Sequence, residues 1–136
     1  MGGVVIDSSV LVAALVDSGS SGEWAETIAA RGSLHAPELL PAEAANVLRR
    51  LEAAGHITTA QAQTAYEDLL QLEIELFPFE PFADRVWELR HNVTAYDAWY
   101  VALAEALRLP LATLDQRLVR APRVTCKFSL PAQQEG

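Results

Sequence analysis

The sequence predicts an α/β fold: a three-layer α/β/α domain around a central, mainly parallel five-stranded sheet. Short apolar runs recur at Val4-Val5-Ile6, Leu34-His35-Ala36, Ile74–Phe77, Leu111-Ala112-Thr113 and Val124–Phe128. Single or paired helical patterns separate them, which is the alternation of parallel βαβ units. The first run is β-branched throughout and apolar on both faces, as a covered central strand requires. At 136 residues, with 51% hydrophobic and 21% charged, the chain reads as one globular domain over 1–136. Residues 131–136 read as a frayed tail.

Each element has a local signal. Val4–Ile6 stops on Asp7, and Ser8-Ser9 offers an N-cap to a helix over Val10–Val16. Ser20 with Glu23 forms a capping box for a helix through Ala30 that closes near Gly32. Pro41 suits a first helical turn, Ala44, Val47, Leu48 and Leu51 give that helix an apolar stripe, and Gly55 ends it. Thr58 and Gln61 make a second capping box, for a helix through Leu72. Pro78 ends the Ile74–Phe77 strand, and Pro81 opens a helix containing Val86 and Leu89. Thr94 caps a helix over Ala95–Arg108, and Asp115 caps a short one after the Leu111–Thr113 strand.

The net charge of −8 argues, as a sum, against a nucleic-acid partner. Its distribution is uneven. Seven acids lie between Glu67 and Glu88 against one base, Arg85, whereas bases gather at Arg49-Arg50 and at Arg117, Arg120, Arg123 and Lys127. That leaves room for local basic patches. The single cysteine, Cys126, excludes an internal disulfide, and no Cys/His cluster has zinc spacing. The N-terminus lacks a basic region, and its apolar runs are broken by Asp7 and Asp17. A cytoplasmic protein without signal peptide or membrane span is expected.

Four acids occupy informative places. Asp7 and Asp115 follow short apolar strands, and Glu43 and Asp97 fall in first turns of helices. Strand ends and helix starts meet on one edge of a parallel sheet, where such folds bind ligands. Singly, each acid has a plain role as a cap or a partner to a helix dipole. Jointly, their placement points to convergence. A helix N-terminus stabilises a carboxylate by only ~0.3–1 kcal/mol, too little to hold several like charges together. Either the acids stand apart or cations bind between them. An all-oxygen set without His or Cys suits Mg²⁺ or Mn²⁺, and metal-assisted displacement at a phosphodiester is the chemistry such a set supports.

Glu43, Asn46 and Arg50 fall at i, i+3 and i+7 on one helix face. Asn46 is placed to orient Glu43 or a metal-bound water. Arg50 either contacts a phosphate or belongs to a polar outer face. His56 and His91 lie away from every motif and read as surface or loop histidines. Trp24, Trp87 and Trp99 either stack on bases or fill core and interface.

The stretches Val5-Ile6-Asp7-Ser8-Ser9, Leu39 to Leu48 around Glu43, Tyr96 to Ala104 around Asp97 and Thr113 to Leu118 around Asp115 resemble the four acidic motifs of PIN-domain ribonucleases. In compact form the chain is similar to the VapC toxins of bacterial toxin–antitoxin pairs, from Val4 to about Phe128. The resemblance implies strand order 3-2-1-4-5, with Asp7 and Asp115 on adjacent central strands. It implies that Asp7, Glu43, Asp97 and Asp115 are the catalytic and metal-binding acids, with Ser8 and Thr113 as hydroxyls lining the site. It also implies a tRNA, rRNA or mRNA substrate, cut by water to leave a 5′-phosphate and a 3′-hydroxyl. A small antitoxin would cross a groove near Leu11, Leu15 and Trp24 and present an Arg to the acids, and homodimers are expected. The unusually acidic middle segment is the main departure from the family pattern.

Two rivals fail on single residues. A haloacid-dehalogenase-type phosphatase needs a second Asp two residues after the first, where Ser9 stands. A receiver domain needs a late lysine at its site, and the only lysine, Lys127, is in the final strand. A PIN fold kept as a silent binding module would break the acid set, which is complete. A PIN nuclease of RNA maturation remains the alternative to a toxin.

Overall fold

The computed structural model describes residues 2–17 and 19–132, so most of the expected frayed tail lies outside the described residues. Strand β1 (Val4–Ile6) is wholly buried. It leads into α1 (Ser8–Val16) and α2 (Ser20–Ala29), then β2 (Leu34–Pro37), α3 (Leu40–Ala53), α4 (Thr59–Gln71) and β3 (Ile74–Phe77). A 3₁₀ turn over Glu80–Phe82 precedes α5 (Ala83–Glu88), followed by α6 (Ala95–Leu107), β4 (Leu111–Ala112), α7 (Gln116–Val119) and β5 (Phe128–Ser129). The sheet runs β3-β2-β1-β4-β5 and every pairing is parallel. The expected order is thus present, and the sheet is parallel throughout.

Val5 pairs with His35 on one side and Leu111 on the other. That register places the ends of β1 and β4 side by side, at the point where strand order reverses. The β-branched residues of β1, with Leu11, Leu40, Val101, Leu103 and Leu111, form the buried centre. Among the described residues no helix is long and apolar enough to cross a membrane.

Several local expectations change. Asp7 itself caps α1, its carboxylate accepting from Val10 N at 3.1 Å, so the helix starts at Ser8 and the serines lie inside its first turn. The Ser20/Glu23 capping box does not form; Gly19 is the cap, without a side-chain bond. Gly22 is there for proximity, since a Cβ would stand 1.9 Å from the Asp17 carbonyl oxygen. The Thr58/Gln61 box is present with both bonds, and Thr94 caps α6 through Asp97 N at 3.1 Å.

The last strand is shorter than the apolar run suggested, for a definite reason. Thr125 donates from N and Oγ1 to Glu105 Oε2 at 3.1 and 2.6 Å. Arg85 donates to the same carboxylate and to the Arg123 carbonyl oxygen. Side chains thereby hold residues 123–125 against α5 and α6, and sheet pairing begins only at Phe128.

Candidate active site

Asp7 is nearly buried, at 8% exposure, and its carboxylate is committed to neighbours. Ser9 Oγ donates to Oδ1 at 2.6 Å, and Thr113 Oγ1 donates to Oδ2 at 2.5 Å. Both hydroxyls accept in turn: Ser9 from Leu114 N at 3.1 Å, Thr113 from Asp115 N at 3.0 Å. Each hydroxyl gives its one proton to Asp7 and takes one from the backbone beyond β4. The two strand ends are stitched together through this carboxylate. Burial raises the Asp7 pKa, the bonds from Ser9, Thr113 and Val10 oppose it, and the Asp97 charge adds to the rise.

Glu43, in the first turn of α3, accepts from Tyr100 Oη at 2.6 Å. Burial raises its pKa, the Tyr100 bond works against that, and the charges of Asp97 and Asp7 reinforce it. The Tyr100 hydroxyl is itself pushed well up, first by burial and then by its bond to Glu43, so it stays a donor. Asp97 is half-buried, its pKa raised by burial and by the Asp115 charge, against Thr94 and Arg117. Asp115 caps α7, accepting from Arg117 N at 2.9 Å and Leu118 N at 3.4 Å. Its carboxylate is 3.9 Å from Arg117 Nε.

The four acids therefore influence one another in sequence: Asp7 with Glu43 and Asp97, and Asp97 with Asp115. Among the described residues, however, no three His, Cys, Asp or Glu side chains stand together as a ready-made metal cage. Mg²⁺ and Mn²⁺ do not require such a cage. Such ions keep several waters and need only one or two direct carboxylates. The donors are all hard oxygens, and burial holds Asp7, Glu43 and Asp97 above their ordinary pKa, with neighbouring acids adding to the rise.

The remaining candidates divide. Thr113 is where it was expected, fully buried against Asp7. Ser8 gives way to Ser9, because the second helical residue, not the first, points back at the cap. Asn46 is exposed and accepts from Arg49 Nε at 3.0 Å; Tyr100, not Asn46, holds Glu43. Arg50 lies exposed on the same helix. Tyr100 was missed, although Asp97 and Tyr100 fall at i and i+3 on α6, a spacing that places both on one face. His91 is an exposed histidine in a turn, as expected. It lines a cleft of about 520 Å³ together with Asp97, Asp115, Arg90, Asn92 and Arg117. The expected groove residue Leu11 is completely buried. Leu15 instead lines a cleft between α1 and α4 with Val16, Ala60, Gln61, Thr64 and Ala65.

The PIN domain family model matches residues 4–124. Ribonuclease VapC1 of Mycobacterium tuberculosis is 42% identical over 92% of this chain and 98% of its own length. The crystal structure of PAE2754 from Pyrobaculum aerophilum superposes with a TM-score of 0.70 at 23% identity, covering 95% of this chain and 83% of the other. That of VapBC-5, a member of the VapBC family of toxin-antitoxin systems from Mycobacterium tuberculosis, does so at 0.57 and 21%, covering 98% and 100%. With its central Asp7 stitched to the β4 end and its sheet order intact, the chain belongs to the PIN domain family, among the VapC proteins.

Proposed function

We propose that this chain is a Mg²⁺- or Mn²⁺-dependent endoribonuclease and the toxin of a VapBC-type toxin–antitoxin pair, working in the cytoplasm as a single PIN domain. One observation carries the reading: Asp7 after β1, Asp115 after β4, and Glu43 and Asp97 in the first turns of α3 and α6 lie at one edge of the parallel sheet. Asp7, Glu43, Asp97 and Asp115 are the carboxylates that would hold the metal, directly or through its waters. When bound, the ion supplies activation of water and stabilisation of the departing oxygen. Asp7 is fixed by Ser9 and Thr113 in one orientation, which lowers the cost of arranging the site before reaction. Tyr100 occupies one oxygen of Glu43 and leaves the other to orient water and take its proton. Water attack with departure of the 3′-oxygen leaves a 5′-phosphate and a 3′-hydroxyl on RNA.

The name borne by the 42%-identical relative, ribonuclease, supports RNA as substrate. The VapBC likeness supports an antitoxin partner. The cleft between α1 and α4 is the surface we assign to that antitoxin, and homodimers are expected. The test is cleavage of total RNA by purified protein with Mn²⁺ and with EDTA, followed by end-group analysis. Cleavage abolished by EDTA and by Asp97→Asn, with 5′-phosphate ends, is expected. Cleavage in excess EDTA, or 2′,3′-cyclic phosphate ends, would overturn it.

A further inference from the structure

The three tryptophans have different fates. Trp24 and Trp99 pack against the core, and Trp99 meets Phe79 edge-on at 5.2 Å. Trp87 is 67% exposed, the highest among the exposed large apolar side chains. Leaving that much indole in water is unfavourable, and the fold keeps it there on the short helix α5. Arg90 lies over its ring at 4.6 Å and anchors back to the Trp87 carbonyl oxygen at 2.8 Å. That contact orders both side chains while the indole stays largely exposed.

Arg90 also belongs to the wall of the cleft that contains Asp97 and Asp115. Three of the chain's few basic or titratable nitrogen side chains, Arg90, His91 and Arg117, share that wall. So does Asn92, whose side-chain oxygen is buried without a partner. In a molecule of net charge −8, such a rim gives a phosphate strand local attraction, because screening confines each charge to about 10 Å. A cationic wall continued by an aromatic face is the arrangement that holds single strands: arginines track the backbone and the ring stacks a base. A base still paired in a duplex does not offer its face to such a ring.

We infer that Arg90, His91 and Arg117 carry the phosphates of an unpaired RNA segment into the acid cleft, and that Trp87 stacks a base flanking the cut. The inference rests on the ribonuclease reading and names the side chains of this chain that guide the strand to its site. It gives the acidic α5 region a role in RNA contact through one indole rather than through charge.

The test titrates a short random-sequence RNA, fluorescein-labelled, into intact protein in millimolar Ca²⁺, read by anisotropy and by tryptophan emission. Steady-state cleavage in Mn²⁺ is measured beside it. Trp87→Ala should weaken binding about tenfold, with the loss in cleavage falling on KM rather than kcat. Trp87→Phe keeps a stacking face and should retain most of the affinity, yet lose the emission quench that wild type shows on binding. Arg90→Gln and Arg117→Gln should each lower the slope of log affinity against log salt by about 0.7.

Unchanged affinity and an intact quench in Trp87→Ala would overturn the inference. So would equal binding of the same RNA annealed to its complement. If Trp87→Ala instead weakens self-association or antitoxin binding while RNA binding stays whole, the indole belongs to a protein contact and the inference falls. A Trp87-dependent quench without any Mn²⁺-dependent cleavage would support the RNA site while removing the ribonuclease reading.

Discussion

Asp7 shows how much of a site one residue can organise. Its two oxygens receive Ser9, Thr113 and the first turn of α1, so the carboxylate is both helix cap and strand clamp. The simple capping role and the proposed catalytic one coexist in the same atoms. Thr113→Val keeps the shape and deletes the hydroxyl, leaving Asp7 Oδ2 and Asp115 N without their partner in a fully buried place. A loss of about 1–3 kcal/mol in unfolding free energy is expected, read by urea denaturation. Tyr100→Phe removes the only side-chain donor to Glu43 among the described residues. Groups that orient metal-binding carboxylates typically contribute 10–100-fold, so kcat/KM in limiting Mn²⁺ should fall by about that factor, with Tm little changed. The acids were legible in the sequence because strand ends and helix starts announce themselves. Ser9 and Tyr100 were not, because a hydroxyl's target depends on side-chain direction within a turn, which spacing alone fixes only loosely.

At the scale of elements, the sequence foretold strands by their apolar runs and helices by their caps, and it failed where side chains overrule the backbone. Val124–Lys127 has the composition of a strand. Its place is set by Glu105, which gathers Arg85 at 2.8 Å and Thr125 at 2.6 Å. Burial alone would raise the Glu105 pKa, but the bonds from Arg85 and Thr125 win and hold it below its ordinary 4.5. A depressed folded pKa contributes stability above the unfolded value and loses it as pH falls through the folded one. Wild type should therefore lose this contribution on acidification below about pH 4.5. Glu105→Gln should start about 1–3 kcal/mol less stable at pH 7 and change less over the same descent. Melting curves taken between neutral and acid pH separate the two slopes; parallel slopes would mean that the clamp is not ionic.

At the scale of the whole molecule, the fold buries like-charged carboxylates close to one another at one edge of its sheet. Asp7, Glu43 and Asp97 all have folded pKa values above their ordinary ones. The sign follows directly. Groups with raised folded pKa values favour the fold fully below their unfolded values, and that advantage is lost as pH climbs through the folded ones. Metal-free protein should thus lose stability from about pH 4 toward neutrality at this site, opposite in direction to the Glu105 clamp at the other end of α6. Cations reverse it: a divalent ion bound to the folded state at 100 times its dissociation constant adds about 2.7 kcal/mol. Asp97→Asn removes one of the repelling charges at a half-buried position whose main-chain cap to Thr94 survives. It should melt higher than wild type in EDTA at neutral pH and gain less from millimolar Mn²⁺. Equal gains in both proteins would show that the ion binds elsewhere, and the four carboxylates would then be neighbours without a shared purpose.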